Sequence, residues 1–301
     1  MKTTPKKIAG IGELLWDVLP QGKQMGGAPC NFAFHALQAG FDAHVISAVG
    51  EDQDGREILM VMDQLEVNKS TVQINSAYPT GTVTVELDSA GIPDYIIHEN
   101  VAWDHINWSE DLGILAGEMD AVCFGSLAQR NQVSGNTIRR FLETTTPECL
   151  RVYDINLRQS FYDRETVLRS LELANVLKLN EDELPVLAGY LGYDGSEEDT
   201  LTSLLGDFQL RLIAYTKGSQ GSWLMTPDET SHCEVPSVEV ADTVGAGDSF
   251  TAALLAGILN GLSLKRVHEA ATEVAAFVCS RHGATPQLPA NLLNLLKPNK
   301  H

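Results

Sequence analysis

The 301-residue chain has 40 acidic against 21 basic side chains, a formal net charge of −19 at pH 7. That excess of acid argues against nucleic acid and anionic membranes as partners, since both need a basic face and no Lys/Arg cluster occurs beyond Lys2, Lys6 and Lys7. The length suits a single α/β domain over residues 1–301 with a small appendage. Taken in chain order, short apolar runs at 8–11, 44–49, 121–124, 151–153, 175–179 and 211–215 predict strands. Segments 31–38, 56–65 and 137–143 between them repeat apolar residues every three to four positions, as helices do. This alternation predicts a mostly parallel sheet covered by helices on both faces. Residues 14–25, 81–87 and 94–98 break the pattern and predict a second, small sheet, with turns at Pro20-Gln21-Gly22 and Ser89-Ala90-Gly91. The last residues, 297–301, read as a frayed tail.

Glu13 interrupts the first apolar run too early for an export signal, and the apolar helix expected at 250–259 is about half the length a bilayer requires. The five cysteines, Cys30, Cys123, Cys149, Cys233 and Cys279, are odd in number and widely spaced, which suits reduced thiols. A soluble, cytoplasmic protein is expected.

The stretch Asp242-Thr243-Val244-Gly245-Ala246-Gly247-Asp248-Ser249-Phe250 carries the most chemistry. Two glycines around an alanine let backbone N–H groups converge, and the free N–H groups of the following helix point the same way, which favours an anion. A carboxylate beside an anion site is repelled by the anion. Asp248 is best explained as a base that takes a proton from a nucleophile attacking a bound phosphate. Upstream, Gly26-Gly27-Ala28-Pro29-Cys30-Asn31 lets backbone lie against a small ligand, starts a helix at a proline and presents an amide to hydroxyl groups. Asp17 can accept two hydroxyl hydrogen bonds.

These two stretches resemble the two signatures of the ribokinase-like, phosphofructokinase-B family of carbohydrate kinases, and most closely its fructokinase-like members. Further resemblances lie between and beyond them: Asp154-Ile155-Asn156-Leu157-Arg158, with isoleucine where many members have proline; Asn180-Glu181-Asp182-Glu183; Thr216-Lys217-Gly218 with Gly221; and the segment around Val278 to Gly283. The resemblance implies a three-layer α/β sandwich with a β-sheet lid formed from segments near 14–26 and 80–104. It implies Asp248 as the catalytic base, the Gly245, Ala246 and Gly247 amides as an anion hole, and Asp17, Gly26, Gly27, Asn31 and Arg158 as the sugar site. Asn180 and Glu183 would organise Mg²⁺ through its waters, and Thr216, Lys217, Gly218, Gly221 and Val278 would meet the nucleotide. Asp242, Val244 and Gly283 would supply oxygens to a monovalent cation such as K⁺. The implied reaction is transfer of the γ-phosphate of ATP to a free sugar, fructose first, since Ala28-Pro29 follow the paired glycines where members acting on ribose or sugar phosphates carry lysine. Ribose, 2-keto-3-deoxygluconate, a nucleoside, or a catalytically silent sugar-binding role stand as alternatives. Dimerisation through the lid is left open by Val83, Val85 and Ile97.

No Gly-x-x-x-x-Gly-Lys-[Ser/Thr] loop occurs, and Gly10-Ile11-Gly12 lacks the third glycine of a dinucleotide fingerprint.

Overall fold

The computed structural model describes residues 5–19, 22–87 and 93–298. The turns expected at Pro20-Gln21 and Ser89-Ala90-Gly91, and the chain end from Asn299, lie outside those residues.

All six apolar runs form parallel strands of one sheet: β1 (Lys7–Ile11), β4 (Asp42–Gly50), β8 (Ala121–Phe124), β9 (Leu150–Asp154), β10 (Val176–Asn180) and β11 (Leu212–Thr216). They are apolar without strict alternation because helices cover both faces, as a parallel sheet requires. The sheet gains a parallel edge, β5 (Val72–Asn75), and two antiparallel strands at the other edge, β12 (Ser222–Met225) and β13 (Thr230–Cys233). The full order is β13-β12-β11-β10-β9-β8-β1-β4-β5.

One face is covered by α1 (Ala28–Gln38), α2 (Gln53–Gln64), α8 (Ala246–Leu259), α9 (Leu264–Cys279) and α10 (Ala290–Leu295), whose Phe32, Met62, Leu254, Val274 and Leu292 join one buried cluster. The other is covered by α3 (Glu110–Ala116), α4 (Gln132–Thr144), α5 (Arg164–Leu173), α6 (Glu183–Leu191) and α7 (Glu197–Asp207), whose Leu112, Phe141, Leu171, Leu187 and Leu204 join a second. This is the three-layer α/β sandwich expected from the sequence.

The remaining strands, β2 (Leu15–Leu19), β3 (Gly22–Gly26), β6 (Gly81–Leu87) and β7 (Pro93–Ile97), form a separate sheet in the order β3-β2-β6-β7. Val83 and Ile97 lie opposite each other in its register and are both buried. Side chains tie this sheet to the body. Trp16 donates its indole N–H to the Asp54 carbonyl at 3.0 Å, and Lys23 pairs with Asp54 and Glu57.

On the opposite side Arg130, whose side chain is 6% exposed, holds Asp104, 2% exposed, with bonds of 2.7 and 2.9 Å. The same guanidinium donates to the His98 carbonyl just past β7 and lies 4.0 Å from the ring centre of Trp103 and 4.6 Å from that of Phe161. Cutting a buried pair on one side leaves an unpaired charge, which outweighs the loss of packing. Arg130→Met is therefore expected to destabilise the fold by about 3 kcal/mol, read as a lower urea midpoint at unchanged slope.

Strands β4 and β8 lie on opposite sides of β1, so chain direction across the sheet reverses there. Open parallel sheets leave a crevice at the carboxyl ends of the strands around such a reversal.

Candidate active site

That crevice is lined by Glu13 beyond β1, Gly125 beyond β8, Asp154 and Asn156 at the end of β9, Ala28 and Pro29 at the start of α1, and Asp248 in the first turn of α8. Local sequence sets each position. Helix α1 begins at Gly27, whose φ of 114° suits glycine and whose missing Cβ leaves room for the Glu13 carbonyl, 2.4 Å from where that atom would be. Gly26 likewise leaves room for the Asp17 carboxylate, 2.2 Å from its absent Cβ. The paired glycines thus let α1 start close against β2 of the small sheet and the segment after β1.

Helix α8 begins at Gly245 in the left-handed region, φ 77°. Its absent Cβ would lie 2.6 Å from the Ala284 Cβ and 2.7 Å from the Ala284 oxygen, so the loop packs flush against the segment after α9. His35 of α1 fixes that segment from the other side, its Nε2 2.9 Å from the Ala284 oxygen. Burial lowers the His35 pKa to about 4, so the ring is neutral and Nε2 is the donor. Asp242 closes the loop by accepting from the N–H groups of Val244, at 3.0 Å, and Gly283, at 3.1 Å. Of the amides expected in the anion hole, that of Ala246 turns back to the Thr243 carbonyl at 3.3 Å. Those of Gly245 and Gly247, and that of Asp248 beside them, meet no acceptor among the described residues, so they are open donors at this helix start.

Asp248 is half-buried and accepts from Asn31 Nδ2 at 2.8 Å. Burial and the charge of Asp154 push its pKa up to about 6, against the opposing pull of Asn31, Lys178 and Arg158. Oδ1 of Asn31 is buried and finds no protein partner among the described residues. Asp17, on β2, is raised to about 6 by burial, with Arg158 opposing. Glu13, 5% exposed, is raised to about 7 by burial and by Asp248, with its own and Ala28 backbone N–H groups and Arg158 opposing. Arg158 is exposed and donates to the Leu157 carbonyl at 3.1 Å, and its charge opposes the upward shift of all three acids. Its loop carries positive φ at Asn156 (47°) and Gln159 (49°), uncommon for residues with a side chain.

Just past β10, at the start of α6, Glu183 is 4% exposed and accepts from the N–H groups of Leu157 at 3.0 Å and Asn180 at 2.9 Å. Oδ1 of Asn180 accepts from Asp182 and Glu183. Among the described residues no group of three or more His, Cys, Asp or Glu stands ready to hold a metal directly. Oxygens already bonded to backbone N–H groups keep a lone pair for water, so this donor set fits Mg²⁺ held by its own waters and by phosphates rather than in a protein cage.

The Thr216 hydroxyl lies 3.4 Å from the Leu179 carbonyl. Lys217 is not a free cation. Its ammonium pairs with Glu197 at 2.8 Å and lies beside the rings of Tyr215 and Trp223. Gly218 and Gly221 both have positive φ, and Gly221 packs against the Cys233 carbonyl. Val278 is buried in α9, and residues just past it in the chain, Ser280, Arg281 and His282, line an open groove with Val238, Glu239, Val240 and Ala241. Residues 238–240 belong to no motif recognisable in the sequence. Glu13 and Lys178 also escape motif reading, although an ionisable residue inside or just after an otherwise apolar strand is a usable signal.

The pfkB carbohydrate kinase family matches residues 12–291, nearly the whole chain. The chain belongs to that family. This carbohydrate kinase is 31% identical over 264 residues to a fructokinase of Klebsiella pneumoniae, covering 84% of each chain. It is 31% identical over 303 residues to a sugar kinase of Pyrococcus horikoshii, covering 92% of this chain and 91% of that one. The solved structure of the Pyrococcus protein superposes with a TM-score of 0.79 over 93% of this chain and 94% of that one, at 28% identity, and that protein has also been solved in complex with ATP. A fructokinase of Xylella fastidiosa, at 19% identity and a TM-score of 0.84 over 96% of this chain and 98% of that one, shares the fold. Among the described residues no helix of the kinase is long and apolar enough to cross a membrane.

Proposed function

We propose that this carbohydrate kinase transfers the γ-phosphate of ATP to a hydroxyl of a free sugar, with fructose as its first substrate. One observation carries the reading: Asp248, raised toward neutrality and oriented by Asn31, stands in the same helix turn as the open amides of Gly247 and Asp248. Asp248 takes the hydroxyl proton as the sugar oxygen attacks the γ-phosphorus, and the helix-start amides meet the charge that grows on the transferred group. Asp17, Asn31 and the backbone at Gly26 and Gly27 hold the sugar hydroxyls, and the free Oδ1 of Asn31 is an acceptor awaiting one. Arg158 closes over the mouth on its strained loop. Asn180 and Glu183 would hold Mg²⁺ through its waters, where it would neutralise charge on the phosphates. Oxygens of Asp242, Val244 and Gly283 would hold a monovalent cation beside the anion hole. The adenine lies along the groove by Val278, with Thr216, Gly218 and Gly221 near the phosphates. The small sheet serves as a lid that excludes water, which protects the γ-phosphate from hydrolysis.

The choice of a neutral sugar rests on charge. Glu13, Asp154 and Asp248 line the crevice, the Asp17 carboxylate stands against Gly26 nearby, and no lysine follows the paired glycines. A phosphorylated sugar entering there would meet this excess of acid. The Klebsiella fructokinase supports fructose as the first choice. The test is ADP formation from Mg-ATP with fructose, glucose, ribose, 2-keto-3-deoxygluconate, adenosine and fructose phosphates. Fructose-dependent turnover supports the reading, and faster turnover on a fructose phosphate overturns the charge argument.

A pH dependence follows. The base works only as carboxylate, so kcat/KM should climb between about pH 5 and 7 and level off above, because the acids near 6 and 7 titrate as a set. A rate that stays flat down to about pH 4.5 removes Asp248 as the base.

A further inference from the structure

Lys178 is the one ionisable residue in the buried stretch Val176–Leu179 of β10, and its side chain is 11% exposed. Its ammonium pairs with Asp154, the last residue of β9, at 2.9 Å. The other carboxylate oxygen of Asp154 lies 3.4 Å from the Thr251 hydroxyl, one turn into α8. An ammonium has three N–H donors, and Asp154 is its only hydrogen-bond acceptor among the described residues. The ammonium also faces the first turn of α8 closely enough that a Cβ on Gly247 would stand 3.1 Å from Nζ and 3.6 Å from Cε. Burial works to lower the Lys178 pKa, but Asp154, Glu183 and Asp248 hold it above the ordinary value, so the charge persists.

A buried ion pair is rarely a net source of stability, and apolar residues of similar volume often serve as well. This pair lies where the proposed reaction adds negative charge. Glu13, Asp154, Glu183 and Asp248 already surround that place, and the other nearby cation, Arg158, is exposed on a loop. We propose that Lys178, braced by Asp154 and Thr251, is a positioning residue that sets a fixed positive charge against the back of the anion hole, acting through the Gly247 backbone and the Asp248 carboxylate to stabilise the transferred phosphoryl group. This rests on the kinase reading above.

The test compares wild type with Lys178→Met, Asp154→Asn and the Lys178→Met/Asp154→Asn double variant, with thermal melts of the ligand-free proteins alongside. Lys178→Met should lower kcat by roughly one to two decades, the scale expected when a charge-assisted interaction is removed from a preorganised site, while the sugar KM stays within about twofold. Calorimetry with MgADP plus vanadate should show binding weakened by a similar factor, with MgADP alone unaffected. The double variant removes the unpaired acid and should restore the melting temperature but not the turnover. A role confined to packing predicts the reverse: turnover returning with stability in the double variant, or unchanged kcat and vanadate binding in the single one. Either result overturns the proposal. Wild type silent on every sugar would count against the kinase reading instead, and vanadate binding still decides the role of Lys178 because it is read without turnover.

Discussion

Asp248→Asn should lower kcat by about two to four decades with little change in the sugar KM, the loss expected for a positioned base. Asparagine keeps the size of the side chain and its bond to Asn31, by an amide flip, but cannot take a proton. The same variant should also show that the site works against stability. Asp248 has a folded pKa of about 6, above the ordinary aspartate value of 3.8. Between those values the folded state binds more protons than the unfolded one, so stability falls as pH rises through the interval, and the full penalty stands above about pH 6. Asp248→Asn is therefore expected to melt higher than wild type at about pH 8 and to lose that advantage near pH 4. A variant that keeps near-wild-type turnover, or one that melts lower than wild type at about pH 8, contradicts the assignment of Asp248 as a desolvated base.

The parallel strands are legible in the sequence because a strand buried on both faces must be continuously apolar, and each of the six runs finds a place in the large sheet. The edge strands are not. Thr230–Cys233 reads Thr-Ser-His-Cys, with an exposed face and no apolar run, and its pairing with β12 brings no signal of its own to the sequence. The loop around Asp248 is legible in sequence as a glycine-bearing helix start, and so as a candidate anion site. Which amides stay open is not, because the return of the Ala246 N–H to Thr243 depends on loop closure. Lys217 resembles a nucleotide contact by its motif, yet its partner Glu197 comes from α7, distant in sequence and unsignalled. Gly10-Ile11-Gly12 has the look of a partial dinucleotide turn, and packing explains the first of these glycines. A Cβ on Gly10 would lie 2.3 Å from the Pro29 carbonyl oxygen, where α1 begins against β1. Lys178 illustrates the remaining gap. A lysine inside a buried strand is visible in sequence, but the helix it faces starts only at Ala246, far along the chain.

Gly245→Ala should be nearly as damaging to turnover as loss of the base. Two costs coincide at this position: a φ of 77° that alanine adopts poorly, and an added Cβ within 2.7 Å of the Cβ, Cα and oxygen of Ala284. Most of those neighbours are backbone, and His35 anchors Ala284 from behind, so it is the start of α8 that has to shift. The amides of Gly247 and Asp248 move with it. Loss of their aim should cost about two to three decades in kcat, in line with the removal of a preorganised anion donor. Gly261→Ala provides the control. Gly261 follows the far end of α8 with φ 71°, and nothing lies within 4 Å of its absent Cβ, so alanine there meets the strain without the clash. It should lose about 1 kcal/mol of stability, the scale of alanine in a glycine-favoured conformation, and keep its turnover. Equal losses of turnover in the two variants would mean that general destabilisation of α8 explains the effect, and the anion hole would lose its support. A collapse confined to Gly245→Ala, measured where both proteins remain folded, ties catalysis to where the open amides point rather than to the integrity of the helix.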